Sequence, residues 1–232
     1  MATRPVFKPL SAFPFVEEIP VEFKWYPGFA KSQAQKSLHA LHSAAKQLGI
    51  SSILEISSRS MDPLGISLSA FNLQINPENA NAPGMSVECA FQGSKVFQYG
   101  GPYHDLYKVP SIEAKKDPRI RNSGDLVAFN FLGESFPITP VTAFYDWIYM
   151  TALSQNPKLS KELLNFEAFS DIAFNPQKSL NCQARAAALF VALNMCGEIE
   201  KALQDKKHFF CLLAGPPIKQ TKIIVGQINL FQ

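Results

Sequence analysis

The sequence predicts a mostly helical α+β domain with a few short strands between and beside the helices. Three observations carry this. Ala34, Leu38, Leu41, Ala45 and Leu48 recur at helical spacing across Ser32 to Leu48. Later apolar stretches open on good helix starts, at Ser86, Thr139-Pro140 and Asn156-Pro157. Seventeen prolines and twelve glycines in 232 residues mark many fixed turns between short elements.

Composition narrows the class. Hydrophobic residues make up 47% and charged residues 18%, which suits a globular chain with a substantial core. The formal charge of +3 permits a phosphate-bearing partner without requiring one. No apolar run approaches the roughly 20 residues that span a bilayer. Arg4, Lys8 and early prolines stand where a signal peptide would be apolar. Cys89, Cys182, Cys196 and Cys211 lack the paired spacing of a zinc site or a disulfide framework, and His39 and His42 lack further ligands. The expectation is a reduced, soluble, cytoplasmic protein with no metal, no cofactor and no membrane partner.

In chain order, Val6-Phe7 and Val21 to Trp25 read as short strands, followed by the helix Ser32 to Leu48 with Gly49 as its C-cap. Ser52 to Ser57 is a buried-strand candidate, and Leu68 to Ile75 a second strand. Ser86 to Phe97 reads as one helix capped by Ser86, and Ser111 to Lys116 as a short capped helix. Thr139-Pro140 opens a helix carrying Phe144 and Trp147, and Asn156-Pro157 opens another through Leu164. Phe169 to Lys178 reads as a loop. Asn181 to Arg185 opens an Ala/Leu-rich helix through Leu193, with Arg185 costly to bury unless paired or holding an anion. His208 to Ala214 and Lys222 to Phe231 alternate like two strands around Gly215-Pro216-Pro217. This divides the chain into an N-terminal extension with one amphipathic helix (1–50), a central domain (51–205) and a β-like C-terminal extension packed on the same domain (206–232).

The chemistry-bearing stretch is Ser86 to Phe97. Glu88, Phe91, Gln92 and Lys95 stand at i, i+3, i+4 and i+7, sharing one face of an otherwise apolar helix. That face is either a site wall or a dipole-complementing glutamate with a snorkelling lysine. Gly100-Gly101-Pro102-Tyr103 forms a turn able to bring backbone N–H groups and a ring to a ligand. Lys115, Lys116, Arg119 and Arg121 make a basic segment that is either a phosphate contact or a solvated face.

With Glu88, Phe91, Gln92 and Lys95 arranged as E-x-x-F-Q-x-x-K, the chain resembles the NADAR, or YbiA-like, family. Ile56-Ser57, Leu68-Ser69-Ala70-Phe71, Ala114 to Arg119, Asp171 to Phe174 and Ala184-Arg185 resemble its flanking elements in order. Departures from the family pattern are Ala70 for an asparagine, Phe174 for a tryptophan, and an Asn-Arg pair that keeps only Arg185. Asn72 or the Asn181/Gln183 pair is the candidate for the missing amide.

The resemblance spans roughly residues 52 to 195 and is nearest to antitoxins paired with DarT-type DNA ADP-ribosyltransferases. It implies a compact helical domain and a hydrolase removing ADP-ribose from guanine in single-stranded DNA, with the cognate toxin as a further partner. Glu88, Asp171 and Lys95 become the catalytic candidates. Ser57, Arg59, Arg119 and Arg185 become candidates for the pyrophosphate; Tyr103, Trp147 and Phe174 for stacking; and Phe71, Phe91, Gln92 and Gly101 for other ligand contacts. The rival readings are a hydrolase of small N-ribosyl metabolites, such as riboflavin-pathway intermediates, and a module that neutralises a toxin by binding alone.

Overall fold

The computed structural model describes residues 1–28, 30–76, 84–177 and 179–215. It is an α+β fold in which helix predominates. The N-terminal hairpin β1 (Ala2–Pro9) and β2 (Val16–Phe23) leads into α1 (Lys31–Gln47) and β3 (Ile53–Glu55). Then come α2 (Pro63–Ser67), β4 (Gln74–Ile75), β5 (Met85–Ser86), α3 (Val87–Gly93) and β6 (Lys95–Phe97). A 3-10 turn (His104–Lys108) precedes α4 (Ser111–Lys116), α5 (Arg119–Asn122), β7 (Leu126–Phe131) and β8 (Glu134–Phe136). The remainder is α6 (Ala143–Ser154), α7 (Pro157–Leu163), β9 (Ala168–Ser170), α8 (Gln183–Met195), α9 (Ile199–Gln204) and α10 (Lys206–Ala214).

The principal sheet runs β2-β1-β9-β3, with β9 antiparallel to β1 and parallel to β3. Alternation along a strand sends neighbouring residues to opposite faces. Val6 and Ala168 therefore pack with Leu38, Leu41 and Ala45 of α1, while Phe7 and Phe169 enter the main core that contains α8. That helix is apolar nearly all round, as a helix enclosed by neighbours must be. The strand just before Asp171 is thus clamped on both edges and both faces.

Several expectations change. The stretch from Ser86 to Phe97 is not one helix. Ser86 caps it as expected, its Oγ accepting from Cys89 N at 3.1 Å, but the helix ends at Gly93 and Lys95 begins a strand. Gly93 lies flat on Tyr107, where a Cβ would sit 2.5 Å from the ring; Lys95 then pairs with Phe129 in the β6–β7 ladder. Leu68 to Ile75 forms mostly turns. Asn72 Nδ2 donates to the Ile66 carbonyl and Tyr149 Oη to the Leu68 carbonyl, which satisfies that backbone locally.

The helix expected from Thr139-Pro140 starts at Ala143. Ser111 does not cap α4; its hydroxyl donates to the Phe71 carbonyl and accepts from the Ser86 hydroxyl. Phe169 and Ser170, read as loop, belong to β9. His208 to Ala214 is helix rather than strand because Asp205 caps it, accepting from His208 N, and Phe209 is buried on its inner face. Lys222 to Phe231 lies outside the described residues.

Candidate active site

Several segments meet around a cavity of about 930 Å³. That lies toward the upper end of the ~300–1,000 Å³ usual for ligand sites. One wall is α3 and the start of β6, contributing Glu88, Phe91, Gln92 and Lys95. The turns after β3 and α2 supply Ser57, Ser58 and Phe71. The loop after β9 supplies Asp171, Phe174 and Asn175, and α8 adds Gln183 from its first turn. The break between helix and strand does not scatter the motif. Gln92 Nε2 donates to Glu88 Oε1 at 2.9 Å, and Lys95 Nζ donates to Gln92 Oε1 at 2.8 Å, so the amide joins acid to amine in a line. The Lys95 ammonium also sits 4.5 Å from the centre of the Phe91 ring.

Burial sets the chemistry of this line. Loss of hydration lowers the Lys95 pKa to about 8, Glu88 opposing that fall and Lys115 adding to it. Lys115 lies over Phe71, 5.0 Å from the ring centre, and reaches the same cavity.

Across the sheet, burial raises the Asp171 carboxyl, against donation from Ala173 N at 2.9 Å and Gln183 Nε2 at 3.0 Å. Behind it, the fully buried Glu55 is also raised, first by burial and then by the charge of Asp171. Glu55 accepts from Ser57, Ser170 and Ile172 N, and Ser170 meets His42 Nε2 at 2.8 Å. Burial lowers the His42 pKa to about 4, which keeps that imidazole neutral near pH 7. Among the described residues no three His, Cys, Asp or Glu side chains gather as metal ligands do.

The cavity therefore brings together Ser57, Phe71, Glu88, Phe91, Gln92, Lys95, Asp171 and Phe174. The other candidates stand outside it. Arg59 lies one residue beyond Ser58, with only its backbone N–H reaching Ser57 Oγ. Gly101, at φ +83°, backs onto Lys95: a Cβ there would meet the Lys95 carbonyl oxygen at 2.3 Å. Arg119 is held by Asp105 and Asp117 and lies over the Tyr103 ring. Tyr103 in turn bonds Ser123. Trp147 packs against Phe136 and Phe131. Arg185 pairs at 2.7 Å with Asp146, which is 1% exposed. Arg119 and Arg185 thus already have carboxylate partners.

Four cavity residues were harder to see. Lys115 was hidden among four neighbouring cations. Tyr145, edge-on to Phe91, carries no sequence signal that sets it apart from its apolar neighbours. Gln183, one of the candidate amides, lies at the cavity: besides Asp171, it donates to the Ile56 carbonyl and accepts from Ala70 N at 2.7 Å. Asn181 lines the cavity too, whereas Asn72 is used elsewhere. Glu55, behind the wall, carried a signal of its own, a glutamate inside the apolar run Ile53 to Ile56.

A family model described as the DarT1-associated NADAR antitoxin matches residues 2–223. The chain belongs to this family of antitoxins. No individual curated protein matches the NADAR chain closely enough to add to that. The match runs from the first residue of β1, so the hairpin behind Asp171 falls within the NADAR-DarT1 pattern along with the cavity. A toxin of the DarT type is the partner that family membership suggests. No described helix is long and apolar enough to cross a membrane.

Proposed function

We propose that this cavity hydrolyses the N-glycosidic bond between ADP-ribose and a guanine base in single-stranded DNA, reversing the modification made by a DarT-type toxin. The observation that carries the reading is the buried line Glu88–Gln92–Lys95 in one cavity with a second buried acid, Asp171. With a pKa near 8, about one Lys95 in ten is a free amine at pH 7, against about one in three thousand for an ordinary lysine.

A base-linked ribose is a glycosylamine. Its C1–O4 bond opens as O4 takes a proton, leaving an imine between C1 and the guanine nitrogen. The Lys95 amine adds to C1, and the guanine amine leaves with a proton, giving a lysine Schiff base. Water adds to C1, the lysine departs, and the aldehyde recloses as free ADP-ribose. Asp171, its pKa raised by burial, is the group suited to hand over the proton, and Glu88 stabilises positive charge developing near C1. Gln92 orients Lys95, while Phe71, Phe91 and Phe174 offer apolar faces to a base that has left its stack.

The test is mass spectrometry of an ADP-ribosylated oligonucleotide incubated with substoichiometric protein. Many turnovers to unmodified oligonucleotide and free ADP-ribose are expected. Protection only at one protein per toxin, without turnover, would leave a binding module. Turnover confined to free N-ribosyl compounds would leave a metabolite hydrolase.

A further inference from the structure

A second cavity of about 520 Å³ lies against the N-terminal hairpin, lined by Thr3, Arg4 and Glu18. Asn175, Pro176 and Gln177 line both cavities, so one short stretch after Asp171 forms the partition between them. Arg4 is the cation of this second space. Its guanidinium lies 5.5 Å from the centre of the Trp25 ring, and Nη1 donates to the Thr3 carbonyl at 2.9 Å. Its Nε is buried with no partner among the described residues. Glu18, which lines the same cavity, is paired instead with Arg185 at 3.7 Å. Arg4 thus differs from Arg119 and Arg185, both held by carboxylates. Burial lowers its pKa. A guanidinium that lines an open cavity with no carboxylate paired to it among the described residues is suited to take an anion.

We propose that this cavity is a phosphate subsite, in which Arg4 takes a phosphodiester of the DNA strand beside the modified nucleotide. It rests on the hydrolase reading for the strand's identity. The strand crosses the 175–177 partition, leaving the ADP-ribosylated base in the larger cavity and a flanking phosphate in the smaller. Trp25 lies beneath the guanidinium and holds it flat toward the ligand.

The test compares wild type, Arg4→Ala and Arg4→Gln on two substrates: a modified single-stranded oligonucleotide and ADP-ribosylated guanosine without flanking phosphodiesters. Arg4→Gln keeps a polar stem over Trp25, and thermal melting of both variants checks the fold. KM for the oligonucleotide should rise about tenfold in both, with kcat and all constants for the nucleoside unchanged. The salt slope of oligonucleotide binding should fall by about 0.7, the value for one phosphate on a single strand. Equal losses on both substrates would overturn the proposal, as would an unchanged KM and salt slope. If wild type turns over neither substrate, the hydrolase reading fails by itself. The salt slope for unmodified oligonucleotide, measured by fluorescence anisotropy, then decides whether Arg4 holds a phosphate.

Discussion

Lys95 is where burial changes chemistry most directly. Its lowered pKa predicts that reaction with a small aldehyde and cyanoborohydride rises with pH about a midpoint near 8, well below surface lysines. A midpoint in the ordinary lysine range would show the amine to be hydrated. Borohydride added during turnover should fix an ADP-ribose-sized adduct on Lys95. Lys95→Arg should lose nearly all activity with its charge intact, since guanidinium forms no such imine; a variant that turns over well removes the covalent step. Glu88→Gln keeps a partner for Gln92 but no charge, and should lower kcat on the order of 10²-fold or more while melting like wild type. Wild-type turnover would reduce Glu88 to a helix-start residue. Glu55 makes its prediction through stability. Its folded pKa lies above the ordinary value, so its contribution is complete below about 4.5 and is lost as pH rises toward about 8. The melting temperature of wild type should therefore fall relative to Glu55→Gln across that window, and parallel curves would mean that Glu55 does not titrate there.

Among the elements, α6 and α8 are joined by Asp146 and Arg185, with Thr142 Oγ1 donating to the same carboxylate oxygen at 2.8 Å. Burial alone raises the Asp146 pKa, and Arg185 offsets it. Arg185→Ala should cost roughly 3–5 kcal/mol, the usual cost of stranding one member of a buried pair. Denaturant melts check this, and a loss below about 1 kcal/mol would place the pair in water. The same residue shows what a sequence can and cannot reveal. An arginine heading an apolar helix announces a buried anion, but the identity of that anion, Asp146 rather than pyrophosphate, depends on how two distant helices pack. The helix Ser32 to Leu48 was legible because its stripe is local. Lys95 lies on the cavity wall yet lost its helix, because the break at Gly93 is set by Tyr107 lying against it. Strands β7 and β8 gave little sign, since their turn puts Leu132 and Gly133 at positive φ, where asparagine would usually announce a hairpin. Asp205 at the head of α10 was the cue against reading 208–214 as strand.

At the scale of the molecule, the N-terminal hairpin forms part of the sheet that aims Asp171. β1 pairs Val6 with Ser170 and Phe7 with Phe169, the residues immediately before the acid. Deleting residues 1–23 should leave protein that melts early or without cooperativity and turns over no modified DNA. A deletion variant with normal activity would show that α8 and β3 suffice to hold β9. The other edge of β9 joins residues 168–170 to residues 53–55, made more than a hundred residues earlier. Order of synthesis then matters. At about 5–20 residues per second, Lys95 leaves the ribosome several seconds or more before β9 and α8 exist to complete its cavity. A message cut anywhere in that interval yields a fragment bearing Glu88 and Lys95 but neither Asp171 nor the central helix. Under the hydrolase reading proposed above, such a fragment should turn over no modified DNA, so that activity waits until β9 and α8 have been made.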